Sequence, residues 1–252
     1  MSSLQTELTL AKLVTREALD ALASVNPELT PYKFDKSLPR ELKAETDRII
    51  ENIILKRLLP TGISVLSEET GQIGEFDEVG LQWVVDPLDG TVNFIRGIAP
   101  CAVSIGLLKG NTPLFGVIGE FPSGKIAWGG SCLGAFVEHQ SQRVSRINEK
   151  SRSVLCTGFP TRFDFGESNM SAFNRRIAAY GKIRMLGAAS LSLLQVAKGA
   201  AEVYSEQDIM LWDVAAGLAI VQGAGGFTAI KPGRHDNSFE VFASNGYHKD
   251  NF

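Results

Sequence analysis

Cysteine is scarce in this chain. Cys101, Cys132 and Cys156 are the only three in 252 residues, which gives no framework of paired bridges and fits a reducing compartment. Histidine is equally sparse: His139, His235 and His248 lie far apart in sequence, so a histidine-rich zinc site is not expected, whereas metals that prefer oxygen ligands stay open. Neither sign of charge dominates. With 25 Lys and Arg against 28 Asp and Glu, the net charge of −3 leaves no basic surface to announce a nucleic-acid partner. No run approaches the ~18 apolar residues needed to cross a bilayer. Leu4, Glu7 and Lys12 interleave where a signal peptide would need its apolar stretch. The expectation is a soluble, cytoplasmic protein with no nucleic-acid and no membrane partner. Internal repeats and low-complexity stretches are lacking as well.

What the chain does have is an ordinary globular balance, 44% hydrophobic and 21% charged residues. That excludes a disordered tail, a collagen-like rod and a disulfide-stapled miniprotein. The length suits one large domain or two small lobes sharing a core. Residues 3–24 carry Leu4, Leu8, Ala11, Val14, Ala18 and Leu22 at helical spacing, and a second helix is expected over 41–59. A short strand at 63–66 runs into Ser67-Glu68-Glu69, and 81–85 reads as a buried strand ending at Asp86-Pro87. Segments 101–109, 113–121, 124–128 and 134–145 are β-like. After a polar seam at 141–152 the pattern changes. Strands at 153–157, 183–186, 201–204, 226–230 and 241–244 alternate with helices near 168–180, 189–198 and 213–223, an α/β pattern. The expected organisation is a single domain, 1–252, of two lobes: 1–145 with helices beside an antiparallel sheet, and 146–252 with the α/β pattern.

The densest signal is Trp83-Val84-Val85-Asp86-Pro87-Leu88-Asp89-Gly90-Thr91-Val92-Asn93-Phe94. Pro87 disfavours helical conformation at Asp86, so the strand is expected to stop there and project its last carboxylate beyond the sheet edge. Two carboxylates three residues apart across a fixed turn can converge on hard cations. Gly90 lets the backbone turn, and the amides of Gly90 and Thr91 at a helix start offer an anion site. Carboxylates for metals beside amides for an anion suit a metal-assisted phosphatase. The plainer reading is a strand exit built of common turn formers. Five specified residues in six positions arise by chance in about one such chain in ten thousand, at ~1/20 per position, which disfavours it.

Other candidates are weaker alone. Asp213 opens an apolar helix in Leu211-Trp212-Asp213-Val214-Ala215-Ala216-Gly217 and, taken alone, reads as an ordinary helix N-cap. Glu68 and Glu69 read as solvated loop acids, Asp47 as a surface charge, and Glu206 as a loop acid. Trp83 and Trp212 read as core. The three cysteines read as packing residues, 129–134 as a hairpin connection, and Arg143, Arg146, Lys150 and Arg152 as a solvated seam.

Together the two motifs are specific. W-x-x-D-P-x-D-G-T-x-N-F is met from Trp83 to Phe94 and W-D-x-A-A-G from Trp212 to Gly217. On these the sequence resembles the inositol monophosphatase family of magnesium-dependent, lithium-sensitive sugar phosphatases. The resemblance covers nearly the whole chain, with Lys36, Asp47, Glu68 and both motifs in order. It implies a five-layered α/β/α/β/α sandwich, usually a homodimer, with two or three Mg²⁺ per site. Glu68, Asp86 and the carbonyl of Leu88 would hold one ion; Asp86, Asp89 and Asp213 would hold a second; a third would sit near Glu68. Thr91 and Asp47, with Glu68 beside them, would orient and deprotonate the attacking water. Gly90 and Thr91 would hold the phosphate, Ala189 would make a backbone contact to substrate, Glu206 would take bonds from substrate hydroxyls, and Asp213 would border the same pocket.

Departures from the family pattern fall away from these groups. Lys43-Ala44 stands where V-T is usual, Gly223 where a glutamate is usual, and the chain stops at Phe252, so a terminal helix is expected to be short or missing. The function expected is a Mg²⁺-dependent phosphomonoesterase for a small polyol or sugar phosphate, an inositol monophosphate first. The alternatives are 3′-phosphoadenosine 5′-phosphate, fructose 1,6-bisphosphate or histidinol phosphate as substrate, or a non-catalytic regulatory relative.

Overall fold

The computed structural model describes residues 3–26, 31–34, 42–161 and 163–249; Lys36 lies outside the described residues. Helix α1 (Ser3–Ser24) buries Leu8, Ala11, Val14, Ala18 and Leu22, the stripe its periodicity predicts. Strands β1 (Tyr32–Phe34) and β2 (Leu42–Ala44) then form a small antiparallel ribbon. The second helix therefore starts later than expected. Ala44 is held extended (φ −111°, ψ 153°) by that pairing, and α2 runs Glu45–Leu58.

Next come β3 (Ser64–Ser67), β4 (Gly71–Ile73), β5 (Leu81–Asp89), α3 (Thr91–Arg96), β6 (Cys101–Lys109), β7 (Thr112–Phe121), β8 (Ile126–Gly130), β9 (Gly134–Val137) and β10 (Gln140–Ser141). The strands make one sheet in the order β10-β9-β8-β7-β6-β5-β3-β4, antiparallel except where β3 runs parallel to β5. The single strand expected over 134–145 is instead two short ones, joined by a turn with Glu138 at φ 53°.

The remainder is β11 (Val154–Cys156), α4 (Glu167–Ala178), β12 (Lys182–Arg184), α5 (Ala189–Ala197), β13 (Val203–Met210), α6 (Leu211–Gly223), β14 (Phe227–Pro232) and β15 (Ser238–Ser244). Its sheet has the order β12-β11-β13-β15-β14, the first three strands parallel. Helix α6 is buried all round because it lies between the two sheets, its Ala216 and Val221 in the same core as Ile118 and Val241. Helices α1 and α2 cover the outer face of the larger sheet through Leu22, Ile50 and Ile54 against Val103 and Val117. Ile177 of α4 packs on Leu155, Val203 and Phe242 on the far side of the smaller sheet. The layers are thus α/β/α/β/α, as the resemblance implied. Trp83 is fully buried, and Trp212 is partly buried against Leu66, Val84 and Leu108. Cys101 and Cys156 are buried packing residues, but Cys132 is exposed, since the hairpin turn rather than a strand carries it. No helix among the described residues is long and apolar enough to cross a membrane.

Candidate active site

Strand β5 does not stop at Asp86. It continues to Asp89, with Asp86 opposite Ser104 and Asp89 opposite Ala102, so three steps on β5 face two on β6. In a regular strand, residues three apart point to opposite faces. The extra residue at the bulge brings them back to one side. Pro87 has no N–H to leave unpaired there, and the Leu88 N–H turns in to Asp86 Oδ1 at 2.9 Å. Asp213 stands at the third position of α6, not at its cap, and accepts from the Met210 N–H at 3.1 Å. Each of Asp86, Asp89 and Asp213 offers a carboxylate oxygen within 4.8 Å of the others. Glu68 joins them from β3. The parallel register pairs Ser67 with Val85, and the Glu68 N–H bonds Val85 O at 3.2 Å, so the next residues, Glu68 and Asp86, are neighbours.

Burial lifts every one of these acids. Asp86 and Glu68 rise well above the usual carboxylate range through burial and then the charges around them: Glu68, Asp89 and Asp213 on Asp86, and Asp213 and Asp47 on Glu68. Asp89 is pushed up to about 6 by burial against three bonds that favour its charge, from the Ala189 N–H (3.2 Å), the Ser190 N–H (2.7 Å) and the Ser190 hydroxyl. Asp213 is pushed up to about 7 by burial and by Asp89. Among the described residues, no Lys or Arg forms an ion pair with any of the four. Crowded acids offering oxygen donors, with no described Lys or Arg paired to them, fit a hard divalent ion rather than zinc.

Asp47, expected on a surface, is 1% exposed. Its Oδ1 accepts from the Thr91 hydroxyl at 2.7 Å, while Oδ2 has no hydrogen-bond partner among the described residues. Burial, with Glu69 adding to it, pushes its pKa up to about 6 against the Thr91 bond. The Thr91 hydroxyl also lies 3.1 Å from the Leu88 carbonyl. Gly90 caps α3 in the left-handed region (φ 92°), where a Cβ would come within 3.2 Å of the Gly187 carbonyl. Only glycine allows that approach. Ala189 begins α5, and its N–H is engaged by Asp89.

Glu206 is not a loop acid. It lies within β13 and is 7% exposed, because β15 keeps pairing with the strand through Met210. Its pKa is pushed up to about 8 by burial first and then by Asp213 and Asp89, with Tyr204 and Arg176 opposing. Several supporting residues were not assigned roles from the sequence. Ser190 holds Asp89, and the Asn93 amide donates to the carbonyls of Pro100 (2.9 Å) and Leu186 (2.8 Å), tying α3 to the entry of α5. Glu51 is 3% exposed and accepts from the Ser67 hydroxyl and from the Thr70 N–H (3.0 Å) and hydroxyl (2.6 Å), bracing the turn that carries Glu68. Its place four residues after Asp47, on the same helix face, was a usable signal. Arg143, Arg146, Lys150 and Arg152 are exposed.

A model of the inositol monophosphatase family matches residues 4–250. The chain belongs to that family. It is 35% identical over 218 residues to "Phosphatase IMPL1, chloroplastic" of Arabidopsis thaliana, covering 82% of this chain and spanning only 58% of that relative's length. It is 32% identical over 231 residues to a "Fructose-1,6-bisphosphatase/inositol-1-monophosphatase" of Aquifex aeolicus, covering 90% of this chain and 86% of the relative. The crystal structure of the extragenic suppressor protein suhB from Bartonella henselae superposes with a TM-score of 0.84 at 27% identity, over 96% of this chain and 95% of that one. Members of this family are metal-dependent, and the membership supports a phosphatase role.

Proposed function

We propose that this chain is a Mg²⁺-dependent phosphomonoesterase acting on a small polyol or sugar phosphate, with an inositol monophosphate as its substrate. The observation that carries the reading is the acid group of buried Asp86 and Asp89 with half-buried Glu68 and Asp213, lying beside the Thr91–Asp47 pair. Glu68, Asp86 and the Leu88 carbonyl would hold one ion, Asp86, Asp89 and Asp213 a second, and Glu68 would border a third. When bound, Mg²⁺ supplies the positive charge that acidifies water and neutralises phosphoryl oxygens.

The remaining work falls to the chain. The amides of Gly90 and Thr91 position the phosphate. The Thr91 hydroxyl orients the attacking water, and Asp47, whose pKa of about 6 suits a base near neutral pH, takes its proton along that bond. Water attacks phosphorus in line as the bond to the alcohol oxygen breaks on the opposite side; that oxygen takes its proton from solvent, and no covalent enzyme intermediate forms. Glu206 and the backbone at Ala189 face the substrate alcohol, where Glu206 exchanges hydrogen bonds with vicinal hydroxyls. The same reading takes the chain as one domain of two lobes, 1–145 and 146–252, acting in the cytoplasm as a homodimer.

The Aquifex relative's double name puts fructose 1,6-bisphosphate on the test panel, and the suhB name adds a regulatory role as the rival. An undiminished set of acids favours catalysis. Phosphate release from inositol 1-phosphate, fructose 1,6-bisphosphate, 3′-phosphoadenosine 5′-phosphate and histidinol phosphate, with Mg²⁺ and with a chelator, tests the reading. Chelation should abolish release, and the inositol phosphate should be fastest. Release that survives chelation removes the metal from the scheme, and no release from any substrate favours the regulatory rival.

A further inference from the structure

Just past Glu206, strand β13 breaks register: Glu206 pairs with Val241, and pairing resumes only at Ile209 with Phe239. Within this bulge Asp208 takes φ 56°, the left-handed region that costs a residue with a side chain about 1 kcal/mol or more. Its carboxylate is buried at 3% exposure. It is gripped by one residue of the β14–β15 turn. Asp208 Oδ1 accepts from the Arg234 backbone N–H at 2.6 Å and Oδ2 from the guanidinium Nε–H at 2.7 Å, with Nη2 completing an ion pair to Oδ2 at 2.7 Å. Two charge-assisted hydrogen bonds and an ion pair from one partner offset the backbone strain.

The turn reaches further. Asn237, also left-handed at φ 57°, gives its carbonyl to the Leu211 N–H at 2.9 Å, which caps the first turn of α6, the turn that carries Asp213. The outer edge of the Arg234 guanidinium lies 3.6 Å from Asp164, which itself accepts from the Gly166 N–H and the Asn169 amide, both at 2.8 Å. One arginine therefore links the bulge, the segment at Asp164 and the β14–β15 turn.

The geometry points to Arg234 and Asp208 as positioning residues that fix the bulge and thereby the reach of Glu206 over the substrate alcohol. This rests on the proposed role of Glu206 and extends it to residues that touch no substrate. The bulge lets β13 swing from its pairing near Glu206 into α6, so Glu206 and Asp213, seven residues apart, face one site. A bulge free to relax would move Glu206 more than the phosphate site, because the Gly90–Thr91 amides stand on the other sheet. A displacement of ~1 Å at a positioning group costs up to ~100-fold in rate.

The test compares kcat/KM on the best polyol or sugar phosphate from the panel with that on 4-nitrophenyl phosphate, which lacks the hydroxyls. Wild type, Glu206→Gln, Arg234→Ala, Arg234→Lys and the pair Arg234→Ala with Asp208→Gly are assayed, each with its melting temperature. Arg234→Ala should lose at least about tenfold more on the polyol substrate than on the aryl one, following the pattern of Glu206→Gln. Arg234→Lys, which keeps charge but not the two-pronged grip, should fall between. Asp208→Gly adopts the left-handed backbone without help and removes the buried charge, so the pair should recover most of the lost selectivity. Equal losses on both substrates in Arg234→Ala, or a lowered melting temperature with selectivity intact, overturn the inference while leaving Glu206 its role. If Glu206→Gln is itself unselective, the reading of Glu206 falls and the inference falls with it.

Discussion

Without a cation, the acid cluster penalises the folded state more as the pH rises, and Asp86→Asn isolates that penalty. In acid the carboxyls are neutral in both folded and unfolded chains, and burial costs little. As the pH climbs from about 4, the unfolded chain ionises first, while the folded protein holds its protons until about 6 at Asp89 and about 7 at Asp213. Stability present below pH 4 is therefore lost progressively up to about pH 7. For Asp89 alone, a rise from 3.8 to about 6 corresponds to ~3 kcal/mol at ~1.4 kcal/mol per pH unit. Asp86 sits among Glu68, Asp89 and Asp213 at 1% exposure. An asparagine there keeps the shape and still accepts the Leu88 N–H through Oδ1, but removes one charge from the cluster.

The metal-free variant should gain ~1–3 kcal/mol over wild type at pH 8, the usual span for relieving a buried like-charge contact. For a chain of this size that is ~2–10 °C in melting temperature. At pH 5 the difference should shrink. Excess Mg²⁺ should reverse the order at pH 8, because binding stabilises the wild type by mass action and the variant has lost the ligand proposed to bridge two ions. Turnover at saturating Mg²⁺ should be nearly abolished. The assay is thermal unfolding of chelator-treated protein at both pH values, repeated with Mg²⁺. A variant that melts below wild type at pH 8, or gains as much from Mg²⁺, refutes the electrostatic reading. Turnover above about a tenth of wild type, a loss under ~1.4 kcal/mol, refutes the bridging role.

Three further outcomes are expected. Thr91→Ala should lower kcat by ~100-fold or more with little change in KM, since its hydroxyl acts on the attacking water and its backbone N–H survives; a change in KM alone would make it a binding residue. Ser190→Ala, which strips one of three donors from Asp89, should weaken Mg²⁺ binding ~10–100-fold by calorimetric titration, and an unchanged affinity would show that α5 does not hold that carboxylate in place. Gly223→Ala should destabilise by ~1–3 kcal/mol in denaturant titration, because a Cβ there would meet the Gly134 carbonyl at 2.4 Å and the Gly130 amide nitrogen at 2.8 Å; a neutral result would mean the glycine hairpin yields freely.

The metal-ligand candidates were legible because their residue types and spacing are improbable by chance, and the helices because their apolar periodicity is strong. What the chain did not disclose was set by partners distant in sequence. Pro87 reads as a strand end, yet β6 continues to pair with β5 across it. Ser205-Glu206-Gln207-Asp208 interrupts an apolar run and so reads as a loop, but Phe242 and Val241 of β15 pair with Ser205 and Glu206, and pairing resumes at Ile209 beyond the bulge. Asp47 reads as solvated because its helix neighbours Glu45 and Arg48 are exposed, and its burial comes from Thr91, 44 residues away. Gly223, where the family resemblance led to an expected glutamate, reads as a lost polar group. It is where the 129–134 hairpin presses against the end of α6, leaving no room for a side chain.

Strand direction explains why acids so scattered in sequence meet at all. A parallel pair brings two carboxyl ends to one edge, and chain reversals outside the sheet leave that edge open for a ligand. Among the described residues of the larger sheet, β3 with β5 is the one parallel pair, and its shared edge carries Glu68, Asp86 and Asp89. In the smaller sheet β12, β11 and β13 are parallel, and from that edge the chain enters α5 at Ala189 and α6 at Leu211. Asp89 joins the two edges through Ala189 and Ser190, and α6, packed between the sheets, delivers Asp213 to the same place. Each sheet alone would hold an incomplete set of acids. The site needs both, so loosening the contact between α6 and either sheet should disperse the ligands before it unfolds the chain.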